Sequence, residues 1–256
     1  MNVSHGCLTC TACKDLFTAH DLVDGFERWG EGERIRLINN PASWGSNNPT
    51  YSLLGFSKGN TQNKVMADVK AGRATFESVP FKGMRKRLGW LLHALGLVGS
   101  DEQIDRLFQT SERRFQSASL IRCSISVRNQ KGEYLYKLKD ILAADGPSNG
   151  KVREIIRRCS RRHLSGAKAG QSFILLGLDK EQIQWCKAAF AEIYGPLKSL
   201  NETAYRTDHL SWVHVAHPSG SQTDPQYLKW CQGKTSTAKV VWARDELGHR
   251  NRTSGR

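Results

Sequence analysis

Two short segments near opposite ends of the chain carry residue types that could act on one ligand. One is Asn39-Asn40-Pro41, and the other is His217-Pro218-Ser219-Gly220-Ser221. An amide can orient a water molecule without titrating, and a histidine can donate a hydrogen bond to an oxygen on which negative charge grows. Each segment alone is also typical of an ordinary turn, so the chemistry depends on the fold bringing the two together.

A third segment carries metal-ligand chemistry. Cys7, Cys10 and Cys13 form a C-x2-C-x2-C run, a spacing that lets thiolates converge on an iron–sulfur or zinc centre. A closed site needs a fourth ligand, and three ordinary thiols are the alternative interpretation. The chain has seven cysteines, and an odd number argues against a disulfide framework.

The charge of the chain indicates a class of partner. Its 256 residues include 38 Lys and Arg against 24 Asp and Glu, which gives a net charge of +14. Such an excess predicts binding to phosphate polymers, because neutralised phosphates release their counterions. A mean hydropathy of −0.51 excludes an integral membrane protein. The N-terminus lacks the layout of a signal peptide, so we expect a cytoplasmic, nucleoid-associated protein with no membrane partner.

Periodicity predicts the elements that would position these segments. Strands are expected at 34–39, 119–127, 172–177 and 212–216, and helices at 81–97, 152–164 and from about 180 to 194. Residues 40–49 are rich in turn formers and are expected to form a loop. This alternation favours an α/β fold with a mostly parallel sheet, in which loops after different strands emerge at the same edge.

Taken in order, these motifs resemble the uracil-DNA glycosylase superfamily, and most closely its iron–sulfur branch. That superfamily places an Asp-Pro or Asn-Pro motif after its first core strand and His-Pro-Ser after its last. The segment 79–97, beginning Val79-Pro80-Phe81-Lys82-Gly83, is similar to the Pro-Phe-x-Gly segment and following helix of that branch. The resemblance runs along most of the chain, although only short motifs are shared.

The resemblance implies a three-layer α/β/α sandwich with a central four-stranded, mainly parallel sheet. We expect one domain over residues 1–243, with the Cys-rich segment 7–13 packed on it, and a monomer. The spacing between Asn40 and Phe81 is wider than that of the family, so an insertion is expected at about 46–78, with a short helix near 64–71. The polar, glycine-containing segment 244–256 is expected to be a basic flexible tail.

The implied activity is hydrolysis of the N-glycosidic bond of uracil, or of other deaminated bases, after the base is flipped out of DNA to leave an abasic site. Asn40 would orient the attacking water, and His217 would hydrogen-bond the base oxygen that gains charge. Phe81 would stack on the flipped base, with Phe56 as its rival.

The other base-contacting positions would be Asn39, Pro41, Ala42 and Ser119. The DNA-contacting positions would be Lys58, Ser219, Gly220 and Ser221, with Gln222 as a wedge.

The same resemblance implies a structural [4Fe–4S] cluster. Its ligands would be Cys10, Cys13, Cys123 and Cys159, with Cys7 as the rival for one of the first two positions. Zinc, or no metal, remains the alternative to the cluster.

The sequence departs from the family in ways that keep a second function open. Asn39-Asn40 provides no carboxylate, and Ser119 stands where the family usually has an asparagine. The alternative is a DNA-binding protein that holds an abasic site or flipped base with slow or no turnover. A further alternative is a metal-bearing DNA-binding protein without a pocket.

Overall fold

A computed structural model describes residues 5–7, 9–100, 102–145, 150–219, 223–234 and 239–253 of the chain. Its strands are β1 (Gly6–Cys7), β2 (His20–Val23), β3 (Phe26–Trp29), β4 (Ile35–Ile38), β5 (Ala42–Gly45), β6 (Tyr51–Gly55), β7 (Phe115–Ser119), β8 (Ser124–Arg128), β9 (Tyr134–Leu135), β10 (Ser172–Leu176), β11 (Lys198–Asn201), β12 (Ala204–Arg206) and β13 (Ser211–Val215). Its helices are α1 (Asn60–Lys70), α2 (Arg85–Ala94), α3 (Leu138–Asp145), α4 (Lys151–Leu164), α5 (Lys180–Tyr194), α6 (Asp224–Cys231) and α7 (Lys239–Thr253).

The strands form two sheets, so the fold is mixed α/β, as the sequence predicts. The larger sheet has the order β1-β5-β7-β6-β10-β13-β12-β11, and its four middle strands, β7, β6, β10 and β13, are parallel. Its outer strands pair antiparallel. The smaller sheet, with the order β2-β3-β4-β8-β9, is antiparallel throughout.

Alternating side chains of the middle strands enter two hydrophobic clusters. Along β10, Ile174 and Leu176 join a cluster with apolar residues of α1, α2, α6 and α7. Phe173 and Leu175 join the other cluster, with α4, α5 and the smaller sheet. The strands are therefore buried on both faces, which explains why β10 is an unbroken apolar run.

The first strand of the parallel group is β6, which corrects two predictions. Residues 46–78 are not an insertion, because Leu53 and Leu54 of β6 are fully buried at the centre of the sheet. The predicted strand at 34–39 exists as β4, but it pairs with β3 and β8 in the smaller sheet. The segment 40–49 is also not wholly a loop, since β5 lies within it.

Other predicted elements are confirmed within a few residues. The helices at 152–164 and 180–194 are α4 and α5, and the Asp179 side chain caps α5 by accepting from the backbone N–H groups of Glu181 and Gln182. The predicted strand 119–127 is instead the end of β7, a bend, and β8.

The prediction of a flexible tail from residue 244 is wrong for its described part. Helix α7 continues to Thr253 because Val240, Ala243 and Leu247 form an apolar stripe that is buried against the larger sheet. Within the described residues, no helix combines the length and apolar character needed to cross a membrane.

Candidate active site and thiol centre

The carboxyl ends of the four parallel strands open into one cavity of about 640 Å³, which we call the edge cavity. Its walls include residues at the carboxyl end of each of these strands: 55–57 at the end of β6, 117–119 in β7, 176–179 at the end of β10, and 217 and 219 after β13. The strand order reverses between β6 and β10, whose connections pass to opposite faces. Ligands bind at such a reversal because the two diverging loops leave a crevice.

His217 lies at the wall of the edge cavity on the loop that follows β13. The backbone N–H of Ser219 donates to its Nδ1 at 3.1 Å. Burial lowers the pKa of His217 from its usual 6.5 to about 4, so the imidazole is neutral near pH 7. Because Nδ1 accepts a hydrogen bond, the proton of the neutral ring resides on Nε2. The ring is therefore a neutral hydrogen-bond donor.

The loop that carries His217 is fixed from outside by Arg87 of α2. Its guanidinium donates to the Ser219 carbonyl oxygen at 2.8 Å and to Asp224 Oδ1 at 2.7 Å. Ser219 itself lines the edge cavity. The predicted contacts Gly220 and Ser221, and the proposed wedge Gln222, lie outside the described residues.

Both aromatic candidates for base stacking line the edge cavity. Phe56 follows β6, and Phe81 lies on the segment before α2. Phe81 has a φ of 53°, a left-handed conformation that is uncommon for a bulky residue, and its ring packs on Phe108 with centroids 5.9 Å apart. Such backbone strain is concentrated at functional sites. Ser119 also lines the cavity, beside Gly55 of β6.

Asn40 lies away from the edge cavity, which corrects its predicted pairing with His217. Its side chain is fully buried, donates to Asn63 Oδ1 at 2.8 Å and to Ser124 Oγ at 3.1 Å, and accepts from the Ser124 N–H at 2.9 Å. The amide therefore ties β4 to β8 and α1, and it has no access to solvent for a catalytic water.

The residues next to Asn40 in the sequence also lie away from the edge cavity. Asn39 and Pro41 line a different cavity, described below, and Ala42 is fully buried in β5. The motif follows a strand of the smaller sheet, so its loop does not reach the edge of the parallel strands.

Lys58 is also not a DNA contact. Its side chain is 1% exposed, and its Nζ donates to the backbone oxygen of Arg122 in the interior. The segment around Lys58 does reach the candidate site, as predicted for Phe56. The residues of this segment that line the edge cavity are Phe56, Ser57, Gly59 and Asn60.

Sequence analysis missed several polar groups of the edge cavity. They are Ser57, Asn60, Tyr136, Lys137, Asp179 and Gln182. A signal for the first two was present: Leu53-Leu54-Gly55 is a short apolar run followed by a glycine-flanked polar loop and a helix. The run Leu175-Leu176-Gly177, at the end of the predicted strand 172–177, has the same form and is followed by Asp179.

The four predicted cluster ligands line a second cavity, which we call the thiol cavity. They are Cys10, Cys13, Cys123 and Cys159, each 9% exposed or less. They come from the N-terminal segment, the bend before β8 and helix α4. None of the four forms a disulfide. The Cys7 side chain lies outside the described part of the structure.

Burial and neighbouring thiols favour the protonated form of Cys13, Cys123 and Cys159. Burial, with contributions from Cys159 and Cys10, raises the pKa of Cys13 to about 12. Burial raises the pKa of Cys159 to about 11 and that of Cys123 well above its usual value. A metal must therefore displace protons to bind here, so its affinity would rise with pH.

The described residues contain no preformed site for a single metal ion. Among them, no group of three or more Cys, His, Asp or Glu side chains could hold one. A cubane cluster would instead take one thiolate on each of its irons. The cavity is also lined by the fully buried Arg122, whose three guanidinium nitrogens have no hydrogen-bond partner among the described residues. A buried charge of this kind calls for a nearby anion.

Comparison with known proteins adds no assignment. No protein-family model matches the sequence, and no curated protein matches it significantly.

Proposed function

We propose that this chain is a DNA glycosylase that hydrolyses the N-glycosidic bond of uracil, or of another deaminated base, and leaves an abasic site. The observation that carries the proposal is the neutral His217 ring at a cavity walled by Phe56 and Phe81. A cavity of this size at a sheet edge suits one nucleobase, with apolar walls for its faces and polar groups for its edges.

His217 supplies the electrostatic part of the reaction. The bond between the sugar C1′ and the base nitrogen breaks, and its electron pair leaves with the base. Negative charge then grows on a base carbonyl oxygen, and the Nε2–H of His217 donates a hydrogen bond to it. A neutral donor in a partly buried site needs little reorganisation as the charge develops.

The attacking water takes its orientation from the loop after β6. Ser57 and Asn60 line the edge cavity with an uncharged hydroxyl and amide. Either side chain can accept a hydrogen bond from water, and neither is a strong base. The water oxygen bonds to C1′, and a water proton is transferred to the departing base or to solvent. This role replaces the one predicted for Asn40.

DNA reaches the edge cavity through its charged rim. Lys82 and Lys137 line the cavity and are exposed, and the chain as a whole carries a net charge of +14. Positive side chains at the mouth position the phosphates on either side of an extruded nucleotide.

We further propose that Cys10, Cys13, Cys123 and Cys159 hold a [4Fe–4S] cluster with a structural role. The support is their shared, buried cavity and the unpartnered guanidinium within it. A cluster there would join the N-terminal segment, β8 and α4, which also meet through apolar contacts and through Arg158 of α4, whose guanidinium donates to the Ala12 carbonyl oxygen at 2.9 Å and pairs with Asp15.

A base-release assay tests the proposed activity. Oligonucleotides that contain uracil, hypoxanthine or xanthine, in single- and double-stranded form, are incubated with the full chain, and free base is measured. Release of uracil or of another of these bases supports the proposal. Absence of free base from every substrate overturns it.

One observation favours a second candidate, a protein that binds abasic or flipped nucleotides with little turnover. Asp179 is the only carboxylate among the described residues of the edge cavity, and its Oδ1 is already held by two backbone N–H groups of α5. Among the described residues of this cavity, no strong general base therefore faces the position that the nucleobase would occupy. Tight binding of abasic DNA without release of free base would favour this candidate.

A further inference from the structure

Arg122 presents an unbalanced charge inside the thiol cavity. It is fully buried, its Nε, Nη1 and Nη2 have no hydrogen-bond partner among the described residues, and no Asp or Glu is among the described residues that line this cavity. Its backbone N–H donates to Cys159 Sγ at 3.2 Å, and the next residue in the chain is Cys123. The guanidinium stays charged at neutral pH, so the nearest available counter-charge is that of deprotonated thiols.

Lys58 brings a second buried cation to the same place. Its Nζ donates to the Arg122 carbonyl oxygen, and its charge acts on both Cys123 and Cys159. His163, the one histidine among the described residues that line this cavity, adds no charge, because burial and the nearby cations lower its pKa and keep it neutral. Two buried cations, Arg122 and Lys58, therefore lie close to the thiols of Cys123 and Cys159.

Lys58 also connects this cavity to the edge cavity. Ser57 and Gly59, its neighbours in the chain, line the edge cavity, while the Lys58 side chain points away from it toward the thiols. The loop 57–59 thus lines the edge cavity through Ser57 and Gly59 and places the buried charge of Lys58 near the thiol cavity.

We propose that Arg122 and Lys58 are the counter-charges of the metal centre, and that the centre thereby holds the loop 55–60 in position at the edge cavity. The inference depends on the cluster proposed above. A cluster with four thiolate ligands has a net negative charge, which stabilises two cations that would otherwise be costly to bury. Loss of the cluster leaves Lys58 without that compensation, and the loop that lines the edge cavity is released.

The test compares Arg122→Met and Lys58→Met with Lys64→Met, an exposed lysine on α1. Each full-length protein is reconstituted with iron and sulfide without oxygen. Iron per chain, the visible absorption of the cluster and resistance to a chelator are measured. We expect each of the first two variants to lose iron at least tenfold faster than the wild type, and Lys64→Met to behave as the wild type does.

Hydrogen exchange reports on the loop separately. In the wild type, exchange at residues 55–60 should be faster after iron is removed, while exchange in β10 stays slow. Lys58→Met should show the fast exchange even with iron bound. If the methionine variants do not fold, the wild-type comparison with and without iron decides the question.

The possible failures can be told apart. A wild-type chain that binds no iron contradicts the proposed cluster and this inference with it. A wild type that holds iron, with equal iron loss in all variants and unchanged exchange at 55–60, overturns the inference alone. Uracil release without any effect of iron on the loop would likewise leave the proposed activity standing and the coupling refuted.

Discussion

The edge cavity and the thiol cavity are built from neighbouring stretches of chain but have opposite physical character. The edge cavity is open, holds about 640 Å³ and presents a neutral imidazole, two phenyl rings and uncharged polar groups. The thiol cavity is lined by buried thiols and by the buried guanidinium of Arg122. The proposals accordingly assign an exchangeable ligand to the edge cavity and a permanently held group to the thiol cavity.

The contrast shows that a short motif takes its role from the strand that precedes it. Asn39-Asn40-Pro41 follows β4 of the smaller sheet, so Asn39 and Pro41 reach the thiol cavity and Asn40 becomes an internal tie. His217 follows β13 of the parallel group and reaches the edge cavity. Sequence alone does not say which sheet a strand joins.

Among substitutions that distinguish the roles of the two cavities, Cys159→Ala is expected to have the largest effect, which is on iron content. The substitution removes a thiol of the thiol cavity, so bound iron should fall to a small fraction of the wild-type content. The matched change Cys186→Ala affects a buried cysteine of α5 that does not line either cavity, and should leave iron content unchanged. Iron analysis after reconstitution measures both. Equal iron in the two variants would show that the four thiols are not a metal site.

Asn40→Ala should affect stability rather than turnover. It leaves the buried Ser124 N–H without its acceptor and removes one of the two donors to Asn63 Oδ1, which Ser124 Oγ still contacts. An unsatisfied buried group costs about 1–3 kcal/mol. Urea unfolding measures the loss, and base release is compared per folded molecule. Asn48→Ala, at an exposed position before β6, is the control and should change neither. A stable Asn40→Ala protein that has lost base release would instead place Asn40 in the mechanism.

Phe81→Leu should weaken substrate binding. Loss of a ring that stacks on a base costs roughly 1–3 kcal/mol. Phe115→Leu makes the same change at a buried position outside the edge cavity and controls for lost packing. Binding of a uracil oligonucleotide under single-turnover conditions distinguishes them. If the two variants bind equally, Phe81 is a core residue, and Phe56 becomes the stacking candidate.

The pH dependence should be the smallest effect. Burial lowers the folded pKa of His217 to about 4, below its usual 6.5, so the ring stays neutral between those values. The rate of base release should therefore change little from pH 8 to about pH 5 and fall as pH approaches 4. A fall centred near pH 6.5 would contradict a buried neutral ring.

Stability should respond to pH in the same window. The unfolded state binds a proton at His217 below about pH 6.5 and the folded state only below about 4. Stability therefore decreases as pH falls through this range. His214 adds to the trend, since burial lowers its pKa to about 4 as well.

The predictable parts of the fold are those with a strong local signal. Strand β10 is a continuous apolar run, and Asp179 marks the start of α5. Helix α7 is not predicted by the sequence pattern, because only three of its apolar residues are buried and its many charged residues weaken the hydrophobic periodicity. Strand β6 begins with Tyr51-Ser52 and follows a turn-rich segment, so its alternation is weak, yet pairing on both sides makes it central.

The candidate site was predictable only in part. His217, Phe81, Phe56, Ser119 and Ser219 share the edge cavity as expected, whereas Lys58 and Asn40 are buried by contacts with residues more than 20 positions away. A lysine between glycine-rich neighbours has the sequence pattern of an exposed loop. Only the tertiary structure shows that its side chain enters the protein.

The measurement that tests the central claim most directly is single-turnover release of free uracil by the wild type, His217→Ala and His209→Ala. His209 is an exposed histidine outside the edge cavity and serves as the control. Removing one donor to a developing anion typically lowers the rate by about 10²–10³-fold. We predict such a loss for His217→Ala and a wild-type rate for His209→Ala. Wild-type uracil release by a folded His217→Ala protein would contradict the account.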